Sequence, residues 1–183
     1  MEDIEVREKP GDMTREELMQ CYKDNPTSLI EPMTDSEIKN MYQEIFCVVN
    51  ELIFNNELPP IEIGYPSQDT REKLEHEDEY AAVFRFYRNK CKAPHIILGF
   101  QTCPEYGFTD DDIEDLFHEL IHYYCYLHNI QDTLKGTQYH NEQFRDTVIK
   151  FGGRCEYLDE EHGYSASELP DTLISEIVAR IKA

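Results

Sequence analysis

The sequence predicts an α+β domain with a small three-stranded sheet packed beside a long helix that carries paired histidines. Three observations predict it. The motif His118-Glu119-Leu120-Ile121-His122 lies inside an apolar helical pattern from about Asp110 to His128. A second segment repeats Ile38, Met41, Tyr42, Ile45, Val48, Val49 and Leu52 at helical spacing. Between the two, three short runs of β-branched and aromatic residues read as strands. Strands grouped between helices, rather than alternating with them, imply α+β.

Residues 1–33 read as a leader without a core of its own, free to pack on the domain or stay mobile. Thr14 to Lys23 suits a short helix opened by Thr14-x-x-Glu17. The domain itself spans 34–183. Thr34-Asp35-Ser36-Glu37 opens its first helix with a capping box, and the helix runs to about Phe54. Asn55 to Pro60 form a turn, after which Ile61, Ile63 and Tyr65 alternate as a strand. Residues 66–79 are a charged loop. Tyr80–Tyr87 and His95–Phe100 read as the second and third strands, joined by a basic turn at Arg88-Asn89-Lys90. Thr109 caps the motif helix, with Asp110, Asp111 and Asp112 favourable in its first turn. Asn141 opens a further helix through Phe151, stopped by Gly152-Gly153. A polar stretch containing Gly163-Tyr164-Ser165 follows, and Pro170-Asp171-Thr172 starts a last helix with Leu173, Ile174, Ile177, Val178 and Ile181 on one side.

The 183 residues suffice for one domain with a real core, and 40% of them are hydrophobic. No apolar run approaches the roughly 18 residues of a membrane helix. The acidic start Met1-Glu2-Asp3-Ile4-Glu5 has no apolar signal region. The expected location is therefore the cytoplasm, with reduced thiols. None of the six cysteines forms a C-x-x-C pair, so no zinc ribbon is visible. A net charge of −21 disfavours direct binding to nucleic acid, which relies on lysine and arginine to neutralise phosphates. The expected state is a monomer acting on a protein or peptide.

The chemistry is carried by the spacing of the motif. Residues i and i+4 share a helix face, so His118 and His122 can aim two imidazoles at one metal. Glu119 then sits beside the open position as a base. Zinc lowers the pKa of a water it holds to about 7, so a carboxylate suffices to take the proton. A catalytic zinc needs a third protein ligand. His128 completes a His-Glu-x-x-His-x-x-Cys-x-x-His pattern, but Cys125 stands where a turning glycine is required. Without that turn, six residues advance the helix by about 600°, about 120° off the face of His122. No methionine follows Met41 to make a Met-turn. Glu142, in Asn141-Glu142-x-x-x-Asp146, resembles a gluzincin ligand on a following helix. His140, just before the capping Asn141, approaches from the start of that helix. Both stay open on spacing alone.

Four stretches carry a family resemblance. They are Asn50–Ile63 (a Phe, a polar turn, then Leu-Pro), His118–His122, Tyr139–Phe144 with its His-x-x-x-Phe, and Gly163–Ser167. Over roughly residues 34–181 the chain resembles the SprT-like zinc metallopeptidases, the Spartan-related zincins, in their small phage and bacterial form. The resemblance implies a zincin-like fold, Zn2+ held by His118, His122 and His140, and Glu119 as general base. It lacks the zinc ribbon and DNA-binding elements of the family's cellular members, so action on DNA-bound proteins does not carry over.

The expected activity is a zinc metalloendopeptidase. Tyr123, Tyr124, Tyr139, Tyr164 and His162 are candidates to stabilise the oxyanion, and Asp115 or Asp146 to orient a ligand histidine. The competing readings are an acidic zinc-binding interaction protein, which engages a basic partner or mimics nucleic acid, and another metal hydrolase such as an amidase.

Overall fold

The computed structural model describes residues 34–64, 82–85, 93–98, 110–134 and 137–182. The leader and its Thr14–Lys23 helix, the 66–79 loop, the basic turn at 88–90 and the Thr109 cap lie outside these residues.

Helix α1 is Asp35–Leu52. Its capping box forms: the Thr34 hydroxyl accepts from the Glu37 amide at 3.3 Å, and the Glu37 carboxylate accepts from the Thr34 amide at 2.7 Å. The predicted apolar stripe buries Ile38, Tyr42, Ile45 and Val49. The chain reverses through Asn55 and Asn56, both at positive φ, 51° and 59°. Asparagine tolerates this region better than most residues. Asn50 holds the turn, donating to the Leu58 carbonyl at 2.9 Å and accepting from its amide at 3.2 Å.

Strands β1 (Glu62–Gly64), β2 (Ala82–Arg85) and β3 (His95–Leu98) form one sheet in the order β1-β3-β2. β1 runs parallel to β3, and β2 antiparallel to it. Ile63 and Ile96 pair across the sheet and are both fully buried. Helix α2, Asp110–His128, lies against β2. Its bounds match the sequence reading. The buried Asp112 accepts from the Tyr42 hydroxyl at 2.6 Å and so ties the start of α2 to α1.

Helix α3 is Glu142–Lys150, capped by the Asn141 side chain, which accepts from the Gln143 and Phe144 amides at 2.7 and 3.3 Å. It ends at Gly152, φ 84°. The polar stretch that follows was assigned no strand from the sequence. It instead forms an antiparallel pair, β4 (Arg154–Glu156) and β5 (Ala166–Glu168). Gly153 is needed where this pair meets the helices. A Cβ there would sit 2.8 Å from Val148 and 2.9 Å from Phe117. Helix α4, Asp171–Ile181, packs on α1, with Arg180 bonded to Glu51 at 2.7 Å.

Phe54, Phe117, Tyr124 and Phe151 meet at the junction of the helices, with Phe54 4.4 Å from Phe151 and 6.2 Å from Phe117 between ring centres. This packing fixes α2, and with it the motif. Cys47, Cys125 and Cys155 are free thiols. Among the described residues, no helix is long and apolar enough to cross a membrane.

Candidate metal centre

The centre is built outward from α2. Leu116, Phe117, Leu120, Ile121 and Cys125 are fully buried in the core. They fix the rotation of the helix so that His118 and His122 emerge together on its remaining face. His140 reaches the same point from the segment before α3. Its backbone is held on two sides by single-residue bridges to Thr133 and Gly163. The His140 amide donates to the His162 carbonyl at 2.8 Å, and the Tyr164 amide donates to the His140 carbonyl at 3.0 Å. Gly163, at φ +67°, passes so close that a Cβ would lie 2.2 Å from the His140 carbonyl oxygen. The Phe144 ring packs, tilted or edge-on, with its centre 4.6–4.8 Å from those of all three imidazoles.

The three Nε2 atoms converge. His118 to His140 is 3.1 Å, His118 to His122 is 3.2 Å and His122 to His140 is 3.0 Å. The three Nδ1 atoms point away, each to an acceptor. The His122 Nδ1–H donates to Asp132 at 2.6 Å, that of His118 to the Ser167 hydroxyl at 3.0 Å, and that of His140 to the His162 carbonyl at 3.2 Å. With the protons on Nδ1, three lone pairs face one another across about 3 Å with no donor between them. That arrangement is repulsive unless a cation sits among them. Nitrogen ligands about 2.0–2.1 Å from a tetrahedral zinc stand about 3.3 Å apart, close to the spacing here. His118, His122 and His140 therefore lie close enough to bind one metal ion.

The electrostatics agree. Burial, then the neighbouring His122 and His140, hold His118 well below the usual histidine range. Burial and His122 push His140 down to about 4. Both are neutral at pH 7 and keep the lone pair a metal needs. Burial acts on His122 too, but the Asp132 hydrogen bond and the charge of Glu119 outweigh it and raise its pKa. Glu119 itself is buried, with 6% exposure, close enough to act on both His122 and Asp115.

No protein-family model, no curated protein and no solved structure matches the chain. The geometry is thus the ground for any functional reading.

The rival third ligands lie elsewhere. α2 runs straight through Cys125, and His128 bonds Glu57 at 3.0 Å while stacking on Tyr124. Glu142 is exposed on the first turn of α3, 3.8 Å from Arg145. The carboxylate that orients a histidine is Asp132. Asp146 instead bonds Arg145 at 2.8 Å, and Asp115 faces a neighbouring cleft. Among the oxyanion candidates, Tyr123 and Tyr124 are buried in the core, the Tyr164 hydroxyl accepts from Arg145 at 3.2 Å, and the His162 imidazole bonds Asp159 at 2.9 Å. Sequence reasoning missed Asp132, Ser167 and the role of Gly163. Asp132 has no local signal. Gly163 and Ser167 stood in a stretch that carries the family resemblance, which gave neither of them a role.

Proposed function

We propose that this chain is a zinc-dependent metallopeptidase of the SprT-like kind, with a zincin-type fold, which hydrolyses peptide bonds in a protein substrate. The observation that carries the reading is the convergence of three outward-anchored imidazoles, their Nε2 atoms about 3 Å apart, beside a buried glutamate. Three histidine nitrogens suit zinc and leave a fourth position open, the pattern of a catalytic rather than a structural site. Zinc bound there supplies a Lewis acid that polarises the scissile carbonyl and acidifies water.

The chain's own residues do the rest. Glu119 accepts a proton from the attacking water, whose oxygen bonds to the carbonyl carbon. Glu119 then delivers that proton to the leaving amine nitrogen as the C–N bond breaks. Burial of Glu119 keeps bulk water from competing for the proton. Asp132, Ser167 and the His162 carbonyl hold the imidazoles in the tautomer that presents Nε2.

The net charge of −21 favours a second reading, an acidic zinc-binding protein that captures a basic partner without cutting it. One comparison separates the two. Glu119→Gln should keep one zinc per chain and lose peptide cleavage by about 10²-fold or more, read by mass spectrometry of the products. Cleavage equal to wild type would remove Glu119 from the mechanism. A partner held equally by both proteins, with no product from either, would favour the binding reading. In the same series, His140→Ala should lose the metal and Glu142→Ala should keep it.

A further inference from the structure

After α2 the chain returns to the triad through two segments that run antiparallel. Asn129, at φ 55°, turns it out of the helix, and the Ile130 amide donates back to the Cys125 carbonyl at 2.9 Å. Residues 131–134 then lie beside residues 139–141, with Thr133 bridged to His140. The Leu134 amide donates to the Tyr139 carbonyl at 2.9 Å, and the Asn141 amide donates to the Asp132 carbonyl at 2.9 Å. One segment carries Asp132, which anchors His122, and the other carries His140. Their register matters, because successive side chains alternate in direction and a slip of one residue would turn Asp132 away from His122.

The side chain of Asn141 joins three parts of this arrangement. Its Nδ2–H donates to the Gln131 carbonyl at 2.7 Å, a rung beyond the two main-chain ones. Its Oδ1 accepts from the Gln143 and Phe144 amides. The oxygen thus holds the start of α3, and with it Phe144, whose ring packs against all three imidazoles. The nitrogen holds the residue before Asp132. A helix cap needs only the oxygen, and aspartate or serine caps about as well as asparagine. Aspartate has no proton to offer the Gln131 carbonyl and would set two acceptors against each other. Serine is too short to serve both sides.

We propose, on the metal-site part of the reading above, that Asn141 is a positioning residue whose side-chain amide clamps the Asp132 segment to the His140 segment, so that the anchor of His122 and the third ligand stay in register.

The test compares the full chain as wild type, Asn141→Asp and Asn141→Ser. Zinc affinity is read by competition with a chromogenic chelator, and fold stability by denaturation of the metal-free proteins. Both variants keep the cap, so both should unfold at midpoints close to wild type. Both should bind zinc about tenfold more weakly. The fall in Asn141→Asp runs against its charge, since an added carboxylate near the site would by itself attract the cation. Combined with Asp132→Asn, either variant should cost less affinity than it does alone, because both changes release the same anchor. Zinc affinity equal to wild type in both variants, or losses that multiply in full in the double variant, overturns the clamp. So does loss of the fold in both, which would make Asn141 no more than a structural residue. A wild type that binds no zinc removes the metal reading itself, and the clamp with it.

Discussion

Asp132 holds His122 through a 2.6 Å bond although it lies in the loop beyond the end of α2. Replacing it with asparagine keeps the shape and removes the charge. Asp132→Asn should lower metal affinity by about 10–100-fold, measured by competition with a chromogenic chelator. Gly163 acts through the backbone. Gly163→Ala would place a methyl 2.2 Å from the His140 carbonyl in a left-handed conformation, and main-chain atoms cannot swing aside. It should destabilise the fold by about 2 kcal/mol or more in chemical denaturation and weaken metal binding at the same time. Alanine at the exposed Gly152, where a Cβ meets nothing within 4 Å, separates the cost of positive φ from that of the clash. At this scale the pairing of His118 and His122 was legible, because the i and i+4 spacing on one helix face brings them together. Spacing left Glu142 open beside the favoured His140, and the family resemblance decided most of the choice. Asp132 and Ser167 were not legible. They lie 10 and 49 positions from the histidines they bond, and no periodicity encodes a contact made by a loop and a three-residue strand.

Helix α2 has a histidine face and an acidic face side by side, and the acidic one costs it stability. Asp115 has an ordinary pKa of 3.8 when unfolded and about 7 when folded, so the folded state binds its proton more tightly. The penalty is absent below the unfolded value, grows as pH rises between the two, and is complete above about 7. Asp115→Asn should therefore raise the melting temperature at pH 8 and change it little at pH 4, as read by calorimetry. The helices were legible because their ends are written locally: Thr34 with Glu37, Asn141 before α3, and Gly152 after it. β4 and β5 were not. Arg154-Cys155-Glu156 and Ala166-Ser167-Glu168 are short, half-exposed and without apolar alternation. They pair because the fold brings them together, and strand preference there is set by context.

Over the whole molecule a metal bound at the triad would act as a crosslink. It would join α2 to the segment before α3, which is itself bridged to the β4–β5 connection. Removing it should lower stability by about 2.7 kcal/mol from a state with free metal at a hundred times its Kd, or roughly 5–10 °C in melting temperature, checked by scanning with and without chelator. His140→Ala should be insensitive to the same chelator. The strap that pins His140 also has a bearing on synthesis. His118 and His122 leave the ribosome well before His140, and Gly163 and Ser167 come later still. A nascent chain stopped just after α3 already displays the whole His-Glu-x-x-His helix, yet the segment that anchors His140 and the hydroxyl that anchors His118 have not been made. Acquisition of the ion thus belongs to the time after translation has passed Ser167, when the anchors of His118 and of His140 are both in place.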